Sequence, residues 1–232
     1  MKISVGLPHI SERVHTRFAD SLIGMVNYSL GQGLEIERIN TFRDNIVFAR
    51  NKISSIALER KADYLLFIDD DMVFEPDALI KLLDNKKDIT GALTFLRREP
   101  HEPSIYTKNS DGETYDPVIM WKPNSLIDID ALGMAFTLIK SDVFIKMKKI
   151  SQFRNQIYGF FTHFPLPGED LNFCTRAKEI GFEIFCDTSV VAGHIVEKII
   201  SYGDYMAMAE DKILSLKRHI AQRKYDANKP QV

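Results

Sequence analysis

Three consecutive aspartates, Asp69, Asp70 and Asp71, directly follow the apolar run YLLFI. Neighbouring carboxylates repel one another, which raises their pKa values unless a cation or water compensates the charge. In an extended segment the side chains at positions i and i+2 point to the same side, so Asp69 and Asp71 could face one divalent cation while Asp70 faces away. A solvated acidic turn, or local caps for a helix that starts at Pro76, would explain the same residues.

Apolar periodicity predicts that this triplet ends a buried strand. The YLLFI run is apolar throughout, as expected of a strand that is covered on both faces of a parallel sheet. Around it we predict strand 2–7 ending at Pro8, helix 12–30, strand 34–39, helix 44–60, strand 64–68 and helix 76–84. This alternation predicts an α/β fold with a doubly wound, mostly parallel sheet. Such sheets bind ligands at the carboxyl ends of their strands, where the aspartates lie, and this favours a cation site.

The second half of the chain is less regular. We predict a strand at 88–95, a Pro- and Gly-rich excursion with at most a hairpin at 97–125, a strand and short helix at 130–144, a loop at 153–168, a helix at 169–180 ending at Gly181, a strand at 182–187 and a last helix at 204–224. The last helix has apolar residues at alternating spacings of three and four: Met206, Ala209, Ile213, Leu216 and Ile220. This pattern fits packing onto its own domain or a dimer seam.

Composition excludes several classes of protein. Thirty basic and thirty-two acidic residues give a net charge of -2, so no global field attracts nucleic acid or anionic lipid. The amino terminus lacks the pattern of a signal peptide, and no segment approaches the roughly 18 apolar residues that span a bilayer. We therefore expect a soluble cytoplasmic protein, in which Cys174 and Cys186 are reduced and partly buried.

Several motifs in this order resemble the GT-A-fold glycosyltransferases of the family 2 type. They are Pro8, FARNKI at 48–53, YLLFIDDDM at 64–72, GMAFTLIKSDVF at 133–144, GEDLNFCTRAKEIGF at 168–182 and His194. The resemblance covers residues 1–196. It implies a Rossmann-like, mostly parallel central sheet flanked by helices, with a catalytic domain at 1–204 and a C-terminal helical extension at 205–232.

The resemblance implies a metal-dependent site for a nucleotide sugar. Asp69 and Asp71 match the DxD motif, in which the last carboxylate ligates Mn²⁺ or Mg²⁺ and the first contacts the ribose, or the metal through water. His194 matches a third protein ligand, and an imidazole is more compatible with manganese than with magnesium. Asp70 and Pro8 complete this part of the sugar-donor site.

Four further residues match the rest of the site. Asp170 matches the general base of inverting members, and Glu169 lies near the acceptor. Arg50 and Asn51 match a pair whose helix faces the nucleotide or the DxD loop. Each residue has a structural alternative. Asp170 could cap a helix beginning near Leu171, His194 could be a core histidine, Arg50 could pair with Glu59 or Asp44, and Asn51 could bond the triplet loop.

The implied reaction is transfer of a hexosyl or N-acetylhexosaminyl group from a UDP- or GDP-sugar to a hydroxyl acceptor, with inversion. A metal bridging the two phosphates neutralises the charge that grows on the leaving diphosphate. A carboxylate within hydrogen-bond reach takes the proton of the acceptor hydroxyl as the new bond forms. The acceptor could be a glycan, a lipid-linked sugar or a small molecule.

The chain also departs from the family pattern. The segment INTFRDN at 39–45 lacks the acidic pair and Gly-Ser that many members use near the base, and Ser11 stands where an Asn is usual. The QxxRW helix of processive synthases is missing, which predicts single addition. Loops 97–125 and 153–168 are expected to shape the acceptor pocket. Their aromatic side chains could stack on a sugar ring, although loop aromatics commonly serve packing: Tyr106, Trp121, Tyr158, Phe160 and Phe161.

Two other functions fit parts of the sequence. The segment DDDMV also matches the first motif of haloacid-dehalogenase-type phosphatases, although that family has this motif near the start of its core. A non-catalytic sugar-nucleotide or glycan binder could share the same fold, because a fold does not determine a function.

Overall fold

The computed structural model describes residues 1–111, 114–153, 159–166 and 168–227. The strands are β1 Lys2–His9, β2 Glu35–Phe42, β3 Tyr64–Ile68, β4 Met72–Val73, β5 Ile89–Leu93, β6 Ile105–Lys108, β7 Tyr115–Pro117, β8 Leu126–Ile129, β9 Ala131–Leu132, β10 Phe136–Lys140, β11 Ile184–Val191 and β12 Gly193–His194. The helices are α1 Thr16–Gly31, α2 Ile46–Glu59, α3 Ala78–Asp84, α4 Ser141–Phe153, α5 Glu169–Glu179 and α6 Tyr202–Ala227.

The chain divides into two units, residues 1–195 and residues 196–232. The second unit contains α6, so the predicted boundary between residues 204 and 205 falls inside that helix. None of the helices in the described ranges is long and apolar enough to cross a bilayer.

The first unit is built on a mixed seven-stranded sheet in the order β2-β1-β3-β10-β5-β11-β8. Strands β1, β2, β3, β5 and β11 run in one direction, whereas β10 and β8 run in the other. Short ladders join β4 to β12, and β6 to both β7 and β9. The predicted α/β class with a mostly parallel central sheet is confirmed.

The antiparallel strand β10 in the middle of the sheet follows from the path of the chain. After β5 the excursion forms the predicted hairpin, β6 with β7, then crosses the sheet as β8, and residues 130–135 return to the carboxyl edge. Strand β10 therefore starts at that edge, where Phe136 is paired with Ile68 at the end of β3. A strand that starts at the carboxyl edge must run opposite to its parallel neighbours.

Strand β3 is buried on both faces, as its apolar run predicts. Leu65 and Phe67 pack into a core layer with α2, α4 and α5, whereas Leu66 and Ile68 pack into the opposite layer with α1 and α3. All four side chains are inaccessible to solvent. Since helices cover both faces, only the edge at the strand ends is open for a ligand.

The structure corrects some of the predicted boundaries. Pro8 does not end the first strand, because β1 continues to His9 in register with β2. Pairing with β3 ends at Gly6, so β1 is bonded on one side only at Pro8 and tolerates a residue without an N–H. Helix α1 begins at Thr16 instead of residue 12. His15, the residue before the helix, caps it, because its ring accepts the N–H of Arg17 in the first turn.

Close packing of α2 on the sheet brings its first turns over the strand ends. A Cβ on Gly6 of β1 would lie 2.5 Å from Cγ2 of Ile53, so only glycine permits this approach. Arg50 lies one turn before Ile53 and is buried. The packing of α2 therefore fixes the position of Arg50 relative to the aspartate loop.

Candidate active site

A cavity of about 420 Å³ lies at the carboxyl ends of β1, β3 and β5, a volume in the range of small-molecule sites. It brings together all but one of the residues predicted to catalyse the reaction or to bind the sugar donor and the metal: Pro8, Arg50, Asp69, Asp70, Asp71, Glu169, Asp170 and His194. Of those residues, Asn51 is the one that does not line it. Parts of the chain up to 186 residues apart therefore meet in one site.

Each aspartate of the triplet has its own cationic or imidazole partner. Asp69 pairs with Arg50 at 3.0 Å, and Asp70 contacts Nδ1 of His9 at 3.0 Å. Asp71 pairs with Arg97 at 2.8 Å. The expected alternation, with Asp70 facing away, is not seen, since all three aspartates line the cavity. The three charges are instead separated onto three different partners.

Arg50 joins the aspartate triplet to the amino terminus of α5. Its guanidinium, which is 4% exposed, pairs with Asp69 through Nη2 and with Glu169 through Nη1. Neither alternative partner predicted from the sequence, Glu59 or Asp44, is the partner found. Among the described residues, no acceptor contacts the buried Nε of Arg50. One arginine thus connects two walls of the cavity.

Asn51 supports the cavity from behind. Its amide donates to the carbonyls of Val47 and Phe161, and its Oδ1 accepts the N–H of Phe161, at 2.9 to 3.0 Å. It therefore bonds the segment that precedes α5, and not the triplet loop. Its predicted contact with a nucleotide stays a prediction.

His194 is brought to Asp71 by a short ladder. Strand β12 pairs with β4 so that His194 is opposite Met72, and the N–H of Ile195 donates to the carbonyl of Asp71 at 2.7 Å. Nδ1 of His194 donates to the carbonyl of Phe95 at 2.6 Å. In a neutral ring this bond places the proton on Nδ1, so that Nε2 is the nitrogen with a lone pair for a metal ion. The side chain is half-buried at the cavity wall, so it is not a core histidine.

Asp71 and His194 line the same cavity, and carboxylate and imidazole are both groups that can ligate a divalent cation. Burial raises the pKa of Asp71, although Arg97 and His194 act in the opposite direction, so this carboxylate would gain from further positive charge. Among the described residues, no group of three or more His, Cys, Asp or Glu side chains is arranged to hold a metal ion. The remaining ligands of a cation here would be diphosphate oxygens and water, a common arrangement for Mg²⁺.

Asp170 lies in the first turn of α5 and lines the same cavity. The pKa of Asp170 is raised, and burial is the largest cause. The neighbouring charge of Glu169 also raises this pKa, whereas the charge of Arg50 lowers it. The helix begins at Glu169 with Gly168 before it, so Asp170 does not have the capping position. A largely buried carboxylate with a raised pKa at a cavity wall is typical of a functional site.

Gly168 makes room for this carboxylate. Its φ of +102° lies in the region that favours glycine, and a Cβ there would be 2.7 Å from Oδ1 of Asp170. The same oxygen accepts the N–H of Leu171 at 2.8 Å. The position of the carboxyl group is therefore set by the backbone on both sides of it.

Two residues of the site were not singled out from the sequence. His9 follows Pro8 at the end of β1, contacts Asp70 and stacks on Phe42 with ring centroids 5.2 Å apart. Arg97 reaches Asp71 from the loop after β5. The rule that ligands bind at strand ends could have indicated His9, whereas the contact of Arg97 depends on a loop path that periodicity does not predict.

Among the loop aromatics, Tyr106 is the one that lines the cavity. Burial raises the pKa of Tyr106, and the charge of Asp170 raises it further. Trp121 packs on Phe95, and Phe161 is fully buried and stacked on Phe173. Phe160 packs on Phe144, and Tyr158 lies outside the described residues. Stacking of these other aromatics on a sugar stays a prediction.

The chain is similar to solved structures although no protein-family model and no curated protein matches it. A197 from STIV has a TM-score of 0.56 at 18% identity, covering 85% of this chain and 87% of that chain. GalNAc-T7 with UDP, GalNAc and Mn²⁺ has a TM-score of 0.52 at 12% identity, covering 85% and 44%. TarS 1-349 of S. aureus with UDP-GlcNAc has a TM-score of 0.48 at 14% identity, covering 85% and 60%. At these identities the likeness concerns the fold, and the predicted GT-A fold is confirmed.

Proposed function

We propose that this chain is a metal-dependent glycosyltransferase of the family 2 type. It moves a hexosyl or N-acetylhexosaminyl group from a nucleotide-diphosphate sugar to a hydroxyl acceptor, with inversion and one addition per acceptor. The observation that supports this most is the composition of the cavity at the strand ends. It is lined by an aspartate triplet, a histidine and the partly buried carboxylate of Asp170, and Arg50 bridges Asp69 and Glu169.

On the sugar-donor wall, Asp71 and Nε2 of His194 would hold a divalent cation, Mn²⁺ or Mg²⁺. When bound, the cation supplies positive charge to the departing diphosphate. Asp69 is held by Arg50 and Asp70 is held near His9, so both are pre-positioned for the ribose and the cation-bound water. Pro8 forms the adjoining wall.

On the acceptor wall, Asp170 takes the proton of the attacking hydroxyl onto its carboxylate. Its raised pKa makes the carboxylate of Asp170 a stronger base than that of an ordinary aspartate. Glu169 is bound to Arg50 and so orients the first turn of α5. Attack from this wall, opposite the diphosphate, inverts the anomeric carbon.

The fold and the site disfavour the phosphatase alternative. In that family the aspartate motif lies near the start of the core, whereas here it follows the third strand of the chain. The non-catalytic binder differs from the transferase in having no turnover, because both would bind a nucleotide sugar in this cavity. Turnover, and not binding, therefore separates the two.

A thermal-shift panel tests the sugar-donor site. It uses UDP, GDP, CDP, dTDP and their common sugar conjugates, with and without Mn²⁺, on the wild type and on Asp71→Ala. A ligand that binds only the native state raises Tm. UDP-sugars are the first candidates, because the GalNAc-T7 structure holds UDP and Mn²⁺. Asp84→Ala, at the end of α3 and outside the cavity lining, is the control.

We expect one class of base to raise Tm only with the metal and only when Asp71 is present. Stabilisation that is unaffected by Asp71→Ala would place the nucleotide elsewhere. No stabilisation by any nucleotide would reject the proposed sugar-donor site.

A further inference from the structure

The three aspartates of the triplet differ in how firmly their partners are held. Arg50 is 4% exposed and has a second partner in Glu169, and the ring of His9 is 6% exposed and stacked on Phe42. Arg97, the partner of Asp71, is 59% exposed. Asp71 therefore has the partner that is easiest to exchange, because an exposed ion pair contributes little binding free energy.

Backbone hydrogen bonds hold the loop around Arg97, although the side chain of Arg97 is exposed. Phe95 and Pro103 form a β-bridge, and the N–H of Leu96 donates to the carbonyl of Glu102 at 2.8 Å. The loop is thus closed at its base by backbone pairing. Only the side chain of Arg97 has to move for its guanidinium to leave Asp71.

Arg97 and His194 approach the same carboxylate. Nη1 of Arg97 is 2.8 Å from Oδ2 of Asp71, and His194 lines the same cavity. A guanidinium at this oxygen neutralises the charge that a divalent cation would neutralise. The guanidinium of Arg97 and a divalent cation therefore compete for Asp71.

We propose that Arg97 is an exchangeable counter-cation of Asp71 and a ligand of the diphosphate, an inference that rests on the proposed function. Without a ligand its guanidinium pairs with Asp71. When a divalent cation takes Asp71, the guanidinium is released at the rim of the same cavity, where it binds diphosphate oxygens. Arginine suits both partners because its planar fork matches carboxylate and phosphate.

This exchange couples the binding of the cation and of the nucleotide. The cation must displace Arg97, so it binds weakly alone. The diphosphate gives the displaced guanidinium a new partner, so the nucleotide strengthens cation binding. By linkage the cation strengthens nucleotide binding by the same factor.

Mn²⁺ titration followed by electron paramagnetic resonance of the free ion tests this competition without measuring activity. The variants are the wild type, Arg97→Ala, Asp71→Ala and Arg98→Ala, each titrated alone and with saturating nucleoside diphosphate. Arg98 is the matched control, an exposed arginine in the same loop that does not line the cavity.

We expect Arg97→Ala to bind Mn²⁺ about fivefold more tightly than the wild type when no nucleotide is present. In Arg97→Ala the factor by which nucleotide strengthens Mn²⁺ binding should be smaller than in the wild type, again by about fivefold. Arg98→Ala should bind Mn²⁺ as the wild type does. A role in folding alone would leave Mn²⁺ affinity unchanged or lower it, so the gain is specific to competition.

Two results would overturn the inference. The first rejects only the role of Arg97, whereas the second also rejects the proposed function. Equal Mn²⁺ affinity of Arg97→Ala and the wild type, with binding lost in Asp71→Ala, rejects the role of Arg97 and leaves the proposed function intact. No Mn²⁺ binding that depends on Asp71, with or without nucleotide, rejects both.

Discussion

Asp170 has opposite effects on folding and on chemistry. Burial raises its pKa above the 3.8 of an ordinary aspartate, so the folded chain prefers its protonated form. The unfolded chain ionises at the ordinary value. As the pH rises from that value through the raised folded-state pKa, the folded state loses stability, and the loss is complete above the folded-state pKa. The general base that we propose is therefore a destabilising group at neutral pH.

Asp170→Asn should therefore raise Tm at pH 8, and the gain should disappear as the pH falls toward 3.8. The amide oxygen can still accept the N–H of Leu171, so the local hydrogen bond is kept. Melting curves between pH 4 and pH 8 measure the effect, with the exposed Asp20→Asn as the control. A gain in Tm that is equal at every pH would show that ionisation of Asp170 is not its cause.

Arg50 stabilises two carboxylates at once, so its removal should be costly. Arg50→Met leaves Asp69 and Glu169 without their shared cation, and we expect a loss of about 2 to 3 kcal/mol in the free energy of unfolding. Adding Glu169→Gln to Arg50→Met removes one of the orphaned charges and should recover part of the loss.

Urea denaturation of the single and double variants measures this coupling. Arg43→Met is the control, because Arg43 forms only an exposed pair with Glu12 and should cost less than about 0.5 kcal/mol. Additive losses from Arg50→Met and Glu169→Gln would contradict the bridge.

At the scale of elements, the turn before α5 positions the proposed base. Gly168→Ala requires a left-handed backbone at alanine and brings its Cβ to 2.7 Å from Oδ1 of Asp170. We expect a loss of about 1 to 3 kcal/mol in stability and a fall in kcat of about a hundredfold, since the carboxylate must move. The KM for the nucleotide sugar should be unchanged, because the sugar-donor wall is not altered.

Gly31→Ala is the matched control for this substitution. No atom lies within 4 Å of a Cβ at Gly31, which is in the last turn of α1. Alanine is the better helix former, so this variant should be as stable as the wild type or more stable. If Gly168→Ala and Gly31→Ala have the same kcat, the turn does not position Asp170.

The sequence predicted those elements whose signal is local. The apolar run of β3, the helix closed by Gly181 and the hairpin in the excursion all follow from patterns a few residues long. The strand-end rule then placed the aspartates at the edge where the cavity lies. The other site residues, such as Arg50, Asp170 and His194, were predicted from the resemblance to the GT-A-fold glycosyltransferases and not from local patterns.

Features that depend on the path of long connections were not predicted. Strand β10 is antiparallel because the excursion returns at the carboxyl edge of the sheet. The spacing of apolar residues predicts a strand but not the direction in which it runs. The contact of Arg97 with Asp71 depends on the same excursion. The hydrogen bonds of the Asn51 amide to the backbone of Phe161, a residue 110 positions away, depend on such a path as well.

At the scale of the whole molecule, the second unit presents an apolar stripe. Ile213, Leu216 and Ile220 on α6 are 52%, 60% and 47% exposed, at the heptad-like spacing that the sequence shows. The side chain of Ala209, predicted for the same stripe, lies outside the described side chains. We propose that α6 pairs with α6 of a second copy, because exposed apolar stripes of this kind commonly mark interfaces.

Light scattering after size-exclusion chromatography tests this pairing. The wild type should have the mass of a dimer, and Ile213→Glu with Leu216→Glu should have the mass of a monomer. The cavity is lined only by residues of the first unit, so the thermal shift caused by nucleotide should be the same in both proteins. Equal masses of the two proteins would reject the pairing without affecting the site.

The cavity brings the aspartate triplet and His194 together with Asp170 inside residues 1–195, and the proposed transfer requires both groups at once. The most direct test is ³¹P NMR of the nucleotide sugar selected by thermal shift, incubated with Mn²⁺ and a mixture of simple glycosides and quenched with EDTA. We expect the wild type to release nucleoside diphosphate, Asp71→Ala to bind and react poorly, and Asp170→Asn to bind normally but react at least a hundredfold more slowly. Binding without release of nucleoside diphosphate would show a sugar-nucleotide binder, and release of inorganic phosphate would show a phosphatase; either result would contradict glycosyl transfer.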